Sequence, residues 1–194
     1  FDGTPYIYLP DLLAAEQDIA DRLAMLTKRG KQTAHGLDKN IQILELAQGF
    51  AYAPLQKEAI RKAMTENCLV LTGGPGTGKT TVLKTVIEVY RQLYPRQKIV
   101  LGAPTGKASR RMAEATGIDE AQTLHSILGL HGDSESKKDR ERKPLEAGLL
   151  IVDETSMVDM WLIHQLFSRL RPGTKVLLVG DADQLESVGA GDVF

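Results

Sequence analysis

The sequence predicts an α/β fold in which a parallel β-sheet is covered by helices on both faces. Compact apolar runs alternate with longer amphipathic segments, and a glycine-rich turn joins the first run to the long helix that follows it. The runs are Cys68–Leu71, Ile99–Leu101, Leu149–Val152 and Lys175–Val179. Strands that alternate with helices indicate a parallel sheet, and strands that are apolar throughout are typical of sheets buried on both faces.

The helices are predicted from apolar residues that recur at steps of three and four. They cover residues 11–29, 38–48, 54 onward, 79–93, 105–116, 123–128 and 158–170. Asp11 is the expected N-cap of the first helix. The third helix begins at Pro54, a favourable first helical residue, and is expected to bury Leu55, Ala59, Ile60 and Ala63.

The chain has 194 residues, of which 42% are hydrophobic, enough for one domain with a core and a small appendage. Its single cysteine, Cys68, cannot form an internal disulfide, which fits a reducing cytoplasm. No apolar run approaches the roughly 20 residues that span a bilayer, so no membrane partner is expected. The N-terminus does not resemble a signal peptide. Because the first residue is Phe1, the chain is interpreted as part of a longer protein.

The charge pattern is informative locally rather than overall, since the net charge is only −1. Between Glu88 and Glu114 there is no acidic residue, and this stretch contains Arg91, Arg96, Lys98, Lys107, Arg110 and Arg111. Such a stretch fits a nucleic-acid partner, although a solvated face would look the same. Residues 132–147 contain five acidic and five basic residues and are predicted to form a surface loop or ribbon.

A glycine-rich segment matches the phosphate-binding P-loop pattern at its fixed positions. Its residues are Gly73, Gly74, Pro75, Gly76, Thr77, Gly78, Lys79 and Thr80, and Thr81 extends the predicted nucleotide-binding set. Glycines let the backbone point its N–H groups inward, and the N-terminus of the following helix attracts phosphate oxygens. Lys79 is expected to reach the β- and γ-phosphates of ATP, and Thr80 to ligate Mg²⁺. The alternative is a glycine-rich turn without a ligand.

Polar side chains follow two later strands. Asp153 and Glu154 come directly after Leu149–Val152, and Gln184 follows Lys175–Val179. In P-loop ATPases a carboxylate at the end of such a strand helps to hold Mg²⁺, and a second one can activate the attacking water. Asp153 is therefore the predicted metal ligand and Glu154 the predicted general base, although a helix N-cap would also explain an acidic pair. Gln184, after the last strand, is expected to contact the γ-phosphate or a water. An acidic turn would not explain the choice of glutamine.

Taken in order, four segments resemble the helicase motifs of the RecD/TraA branch of superfamily 1, which includes the exodeoxyribonuclease V alpha subunit. They are Gly73–Thr80, Ala103–Ala108, Val152–Met157 and Val179–Leu185. Gln122–His125 resembles a further DNA-side motif, and Gln56 resembles the glutamine with which such helicases read adenine. The resemblance is strong over residues 54–194 and weak over the leading helices. It departs from the family pattern at Glu186, where proline is expected.

The resemblance implies a RecA-like P-loop NTPase domain that uses ATP and Mg²⁺ to move 5′ to 3′ along single-stranded DNA. Residues 1–50 are then a helical N-terminal segment, and residues 51–194 are the first motor domain, incomplete at its C-terminus. Lys79, Glu154 and Gln184 are the implied catalytic residues. The residues that match DNA-side segments are Pro104, Thr105, Lys107, Thr123 and His125. A helix cap for Thr105 and a hydrogen-bonded core position for His125 are the alternatives.

The resemblance also implies partners that this chain does not contain. They are a second RecA-like domain, other domains of the parent chain and subunits of a nuclease complex. Because the arginine fingers of such helicases come from the end of the first domain and from the second, this chain alone is expected to be weakly active at most. A P-loop ATPase that serves as a nucleotide switch for protein partners, without strand separation, stays open as an alternative. Stand-alone helicase, nuclease subunit and conjugation protein are equally open.

Overall fold

A parallel sheet forms the centre of the domain in the computed structural model, which describes residues 9–28, 34–130, 143–181, 183, 184 and 189. Its five strands lie in the order β1-β5-β4-β2-β3. They are β1 (Cys68–Thr72), β2 (Ile99–Ala103), β3 (Gln122–Thr123), β4 (Leu149–Val152) and β5 (Lys175–Gly180). Each predicted apolar run forms a strand, and the predicted parallel sheet is confirmed.

Seven α-helices and one short 3-10 helix accompany the strands within the described residues, and the first three of them precede β1. The α-helices are α1 (Pro10–Lys28), α2 (Leu37–Gln48), α3 (Pro54–Thr65), α4 (Lys79–Leu93), α5 (Gly106–Thr116), α6 (Leu124–Ile127) and α7 (Met160–Phe167). The 3-10 helix spans Thr155–Met157. None of the helices in these ranges combines the length and apolarity needed to cross a bilayer.

The sheet has a hydrophobic core on each face because successive side chains of a strand point in opposite directions. In β4, Leu149 and Ile151 pack with α2, α3, α4 and α5 on one face. Leu150 and Val152, from the same strand, pack with α1, α6 and α7 on the other face. Helices therefore cover both faces, as the continuous apolar strands predict.

The two N-terminal helices pack on opposite faces of this sheet. Helix α1 lies on α7, where Asp18 Oδ2 is 2.9 Å from His164 Nε2 and Arg22 donates a hydrogen bond of 3.3 Å to the Phe167 carbonyl. Helix α2 instead contributes Leu37, Ile41 and Leu44 to the core beside α4. Both helices thus share the cores that hold the sheet together.

Two predictions about helix positions are wrong. Asp11 is not an N-cap, because α1 already begins at Pro10 and the Leu9 carbonyl accepts the first helical hydrogen bonds. Leu55 is not buried; it is 78% exposed. It lies in the first turn of α3, whereas the residues that this helix buries come from its later turns, namely Ile60, Ala63 and Met64.

Short elements replace parts of two predicted helices. Thr123, predicted as helical, belongs to the two-residue strand β3, and α6 begins only at Leu124. The helix predicted over residues 158–170 is the shorter α7, preceded by the 3-10 turn. Elements of two to four residues carry too few side chains to show a period, so pattern alone does not reveal them.

The basic stretch predicted between Glu88 and Glu114 does not form a single surface. Arg91, Arg96 and Lys98 precede β2, whereas the three later basic residues lie on α5, after the strand. A five-residue strand spans about 16 Å, so β2 separates the two groups toward opposite edges of the sheet. Only the α5 group lies near the carboxyl ends of the strands.

The charged segment 132–147 lies mostly outside the described residues, as does Glu186. Its last residues are described, and they are attached to the domain. Leu145 is partly buried and pairs with Leu170 through an isolated parallel bridge. Lys143, Pro144 and Glu146 are exposed and lie outside any helix or strand, so this end of the segment runs along the surface as predicted and is attached at Leu145.

A buried lysine at the amino edge of the sheet makes domain stability depend on pH. Lys175 is only 3% exposed, and its Nζ donates a 2.7 Å hydrogen bond to the Glu66 carbonyl. Burial lowers the pKa of Lys175 to about 8, although the Glu66 carboxylate opposes the shift. Below pH 8 the cost of burying the charge is fully present. Above it the unfolded chain binds more protons, so stability rises with pH.

Wild type should therefore gain stability relative to Lys175→Met as the pH rises. We expect a relative gain of about 1–2 kcal/mol between pH 7.5 and 9.5. Urea unfolding of the domain, followed by fluorescence of its single tryptophan, Trp161, measures both proteins at each pH. Parallel stability curves for the two proteins would show that Lys175 stays fully protonated in the fold.

Candidate nucleotide-binding site

A cleft of about 360 Å³ opens at the carboxyl ends of β1, β4 and β5. Open α/β sheets bind ligands at this edge, and the volume is in the range of ligand pockets. The lining contains most of the predicted ATP-site residues and adds Leu83, Val179 and Gly180. Its members are Gly74–Thr80, Leu83, Asp153, Glu154, Val179, Gly180 and Gln184.

The P-loop wraps between β1 and α4 with the help of left-handed glycines. Gly76 has φ 76° and Gly78 has φ 86°, values that side-chain-bearing residues rarely adopt. Gly78 also lies against the Gln56 amide, and a Cβ there would collide with Gln56 Nε2. The loop ends directly at Lys79, the first residue of α4, so the helix N-terminus faces the cleft.

Side chains within and beside the loop hold it in shape. Lys79 Nζ donates to the carbonyls of Gly73 and Gly74. The Thr77 hydroxyl donates to Gly74 at 2.9 Å. Gln56 accepts from the Ala53 N–H at 3.0 Å and donates to the Thr77 carbonyl at 3.4 Å. Gln56 therefore touches the loop, although Gln56, Gly73 and Thr81 stand outside the cleft lining.

The two predicted carboxylates face the P-loop from the end of β4. Burial raises the pKa of Asp153, while the hydrogen bond from the Glu154 N–H and the Lys79 charge act against the increase. Burial also raises the pKa of Glu154, and the neighbouring Asp153 carboxylate adds to the increase. A carboxylate with a raised pKa is a stronger proton acceptor once ionised.

Glu154 has an unusual backbone. With φ 52° it is the one residue other than glycine in the described chain that has positive φ. Such conformations cost of order 1–3 kcal/mol and cluster at functional sites. The conformation turns the chain sharply between β4 and the following 3-10 helix. In this turn the Thr155 hydroxyl donates a hydrogen bond of 3.1 Å to the Val152 carbonyl.

Gln184 lines the cleft from the segment after β5, where a buried carboxylate holds it. Asp181 is 3% exposed, and its Oδ2 accepts a hydrogen bond from Gln184 Nε2 at 3.4 Å. The Asp181 carbonyl accepts from the Gln184 N–H at 3.1 Å. Asp181 belongs to the motif segment Val179–Leu185, and the sequence does not predict that its buried carboxylate holds Gln184.

The residues at the cleft fit a magnesium ion that arrives with nucleotide. No group of three or more His, Cys, Asp or Glu side chains that could hold a metal occurs in the described ranges. Mg²⁺ does not require one, because it commonly binds through one or two carboxylates, with phosphate oxygens and waters. Thr80 and Asp153 both line the cleft and supply a hydroxyl and a carboxylate.

The predicted DNA-side residues lie together at the other end of the same sheet edge. Ala103 pairs with Thr123 across β2 and β3, so the segments that carry Thr105 and His125 leave neighbouring strands. Strand β2 is the fourth in the sheet and the P-loop strand is the first. At about 4.8 Å per strand this separates them by roughly 14 Å.

Both threonines at this edge cap helices. The Thr105 hydroxyl accepts from the Ala108 N–H at 3.2 Å, and the Thr123 hydroxyl accepts from the Ser126 N–H at 3.1 Å. Thr105, Lys107 and His125 are exposed, whereas Pro104 and Thr123 are partly buried. The cap expected as an alternative for Thr105 is present, and the core position considered for His125 is not.

The protein family of the chain is shown by a family model that matches most of the sheet and its helices. The model of a protein family described as an AAA domain matches residues 56–190, from the helix that carries Gln56 to beyond Gln184. The chain belongs to this AAA domain family. The matched range contains all five strands of the sheet.

Relatives of this AAA domain include named helicases. It is 38% identical to the RecBCD enzyme subunit RecD of Mycobacterium tuberculosis, over 92% of this chain and 33% of that protein. It is 37% identical to the ATP-dependent RecD2 DNA helicase of Deinococcus radiodurans, over 97% of this chain and 26% of that protein. The chain thus spans about a third or less of the length of these relatives. They confirm the predicted resemblance to RecD-like superfamily 1 helicases.

A solved structure supports the same fold. The Pif1 helicase from Candida albicans superposes with a TM-score of 0.52 at 30% identity, over 72% of this chain and 34% of that chain. The predicted RecA-like P-loop α/β fold is confirmed by this likeness together with the parallel sheet and its flanking helices.

Proposed function

We propose that this AAA domain is the ATP-binding first motor domain of a helicase that moves 5′ to 3′ along single-stranded DNA. The observation that carries the proposal is the cleft, in which Lys79, Asp153, Glu154 and Gln184 converge on one volume beside the P-loop. RecD and RecD2 relatives support the helicase assignment. In this division residues 1–50 are the N-terminal helical segment and residues 51–194 belong to the motor domain.

The cleft residues have separate tasks in hydrolysis. Lys79 balances charge on the β- and γ-phosphates, and the P-loop N–H groups orient them. Thr80 and Asp153 would hold Mg²⁺, which would supply charge neutralisation on the phosphate oxygens. Glu154 accepts the proton of the attacking water.

Two further residues report on the nucleotide. Gln184 is held by Asp181 at the cleft wall, where its amide can contact the γ-phosphate or a water. Gln56 lies against the P-loop at Gly78 and Thr77, where its amide can read adenine. Both are amides, and an amide can donate and accept at the same time.

The DNA track runs along the carboxyl edge of β2 and β3. Thr105 and Lys107 at the start of α5, with Pro104, Thr123 and His125 beside them, provide polar groups and a helix N-terminus for phosphates. The edge is next to the cleft but outside its lining. A DNA motor requires this arrangement, because its DNA-binding site and its nucleotide-binding site must be coupled but cannot occupy the same space.

The proposed parent also contains a second RecA-like domain that closes the ATP cleft from the other side. Domain closure on nucleotide would then move the DNA. Subunits of a nuclease complex are proposed partners because several relatives are named as RecBCD subunits. The proposed location is the cytoplasm. A nucleotide switch without strand separation is the second candidate, and it predicts turnover that ignores DNA.

The full-length protein separates the two candidates. We expect its ATP turnover to rise with single-stranded DNA, and a labelled duplex with a 5′ tail to be unwound while one with a 3′ tail is not. Turnover that is indifferent to single-stranded DNA would favour the switch. Unwinding of the 3′-tailed duplex alone would reverse the proposed direction.

Changes at the DNA-side edge should weaken DNA binding without damaging the ATP site. Thr105→Asp keeps a good helix cap but places a carboxylate beside DNA phosphates. His125→Ala removes an exposed polar side chain. We expect each to weaken single-stranded DNA binding by about tenfold, equivalent to about 1.4 kcal/mol, and to lower DNA-stimulated turnover more than basal turnover.

His35→Ala is the matched control, because His35 is also exposed but precedes α2 on another part of the domain. Fluorescence anisotropy with a labelled oligonucleotide measures binding, and steady-state assays measure both rates. An equal loss of basal and stimulated turnover would argue against a DNA role for this edge.

A further inference from the structure

A second cleft opens at the amino edge of the sheet, on the side opposite the candidate nucleotide-binding site. It has a volume of about 430 Å³ and lies where β2, β4 and β5 begin. Its lining contains three basic side chains and one acidic side chain, which belong to Arg96, Lys98, Arg171 and Glu146. This amino-edge cleft therefore has an excess of positive charge, in a part of the domain to which the proposed function gives no task.

Hydrogen bonds between distant segments hold the backbone around the amino-edge cleft. The Lys98 carbonyl accepts a hydrogen bond of 2.8 Å from the Gly148 N–H, and the Gly148 carbonyl accepts one of 2.8 Å from the Lys175 N–H. The Gln97 side chain lies directly against Gly148, where a Cβ would collide with its Oε1. The loop that carries Arg96 and Lys98 is thus attached to the starts of two other strands, and both cations project from a fixed backbone.

The cations of the amino-edge cleft are accessible to a ligand. Arg96 and Lys98 are exposed, and within the described ranges neither side chain has a hydrogen bond or an ion pair. Arg171 pairs with Glu146 at 3.0 Å, but these side chains are 52% and 73% exposed. Exposed ion pairs of this kind contribute little, so a bound anion can replace Glu146 at the guanidinium.

The lining fits phosphate groups better than it fits a protein segment. Guanidinium groups bind phosphate oxygens through two parallel hydrogen bonds, and a lysine adds a point charge. Protein interfaces depend on buried apolar and aromatic anchors, whereas the apolar side chains of this lining are Ala147 and Pro172. Interfaces with DNA are more polar and more positively charged.

We propose that the amino-edge cleft is a second DNA site, which binds backbone phosphates of DNA outside the track at the carboxyl edge. The inference rests on the proposed function, because that function brings DNA to this domain. Strand β2 spans about 16 Å between the two edges. DNA held in the cleft must therefore extend beyond the track.

The double variant Arg96→Gln, Lys98→Gln in the full-length protein tests the proposal. The matched control is Lys84→Gln with Arg91→Gln, which also removes two exposed charges, but from residues that do not line the cleft. Fluorescence anisotropy at several salt concentrations measures the affinity for labelled single strands of about 8 and about 40 nucleotides. A duplex with a 5′ tail of about 8 nucleotides is the third substrate.

The salt dependence of binding counts the phosphates that the protein neutralises. Each phosphate contributes about 0.7 to the slope of log affinity against log salt on a single strand, and about 0.9 on a duplex. The cleft variant should lose about 1.4 from this slope on the long strand, or about 1.8 on the tailed duplex. It should also bind that substrate about tenfold more weakly at low salt. The control should match wild type on all three substrates.

The three substrates decide the outcome. A loss on the long strand assigns the cleft to single-stranded DNA, and a loss on the tailed duplex alone assigns it to duplex DNA. The proposal is overturned if both slopes stay at the wild-type value, or if the short strand loses as much affinity as the long one. Weaker binding of a labelled polyglutamate peptide, with unchanged binding of DNA, would overturn it in favour of an acidic protein partner. Failure of the proposed function is distinct, because wild-type turnover would then not rise with the short strand.

Discussion

Replacing Glu154 with glutamine is expected to leave ATP binding intact and to lower DNA-stimulated turnover by about 10²–10⁴-fold. The change keeps the shape of the side chain and removes its ability to accept a proton. The backbone should tolerate it, since glutamine meets the same cost as glutamate at φ 52°. Burial and the Asp153 carboxylate raise the pKa of Glu154, so wild-type turnover should also fall as the carboxyl becomes protonated at acid pH.

Calorimetry with a non-hydrolysed ATP analogue measures binding, and a phosphate-release assay measures turnover. Glu88→Gln serves as the control, because Glu88 is an exposed residue of α4. If Glu154→Gln neither binds nor hydrolyses ATP, the residue is structural or a metal ligand, and the roles proposed for the two carboxylates must be exchanged. Retained turnover would exclude Glu154 as the base.

Lys79→Ala is expected to abolish measurable hydrolysis, a loss of at least roughly 10²–10³ in kcat. The lysine charge is proposed to meet phosphates whose negative charge increases in the transition state, so its removal affects rate and binding together. The same ammonium also donates to two P-loop carbonyls. The alanine variant should therefore show a less rigid loop even without nucleotide.

Lys84→Ala is a matched control for this lysine, because Lys84 is exposed on the same helix, one turn further from the cleft. Thermal unfolding with and without ATP and Mg²⁺ separates the two contributions. Wild type should be stabilised by nucleotide, and Lys79→Ala should not. A Lys79→Ala variant that hydrolyses ATP at the wild-type rate would invalidate the P-loop assignment.

Short motifs of consecutive residues predict several of the residues that line the cleft. The P-loop pattern, the Asp153–Glu154 pair and Gln184 were each predicted from short local motifs, and parallel strands bring the ends of such motifs to one edge. The two-core sheet was equally predictable, since β4 and β5 are apolar at nearly every position.

Features that depend on packing between distant segments were not predictable. The place of Gly102 is one example, since its carbonyl accepts a hydrogen bond from the Asp153 N–H only because β2 lies beside β4. The burial of Lys175 is similar, because its partner carbonyl belongs to Glu66, 109 residues away. The burial predicted for Leu55 is wrong for a related reason. A helical period predicts which face of a helix is apolar, but not where along its length the helix meets the core.

Hydrogen bonds around Tyr52 connect three helices beside the candidate nucleotide site. Its hydroxyl accepts from buried Thr85 on the P-loop helix at 2.8 Å and donates to Gln48 at 2.8 Å. Its N–H donates to Glu45, which also pairs with Lys57 on the helix that carries Gln56. These contacts join α2, α3 and α4 into one block.

The proposed adenine contact and the phosphate loop both belong to that block, so the same hydrogen bonds set the distance between them. In the proposed function, a nucleotide would have to match this distance to reach both contacts. Movement in the proposed motor would then come from the opposite wall of the cleft, which the second RecA-like domain is proposed to supply.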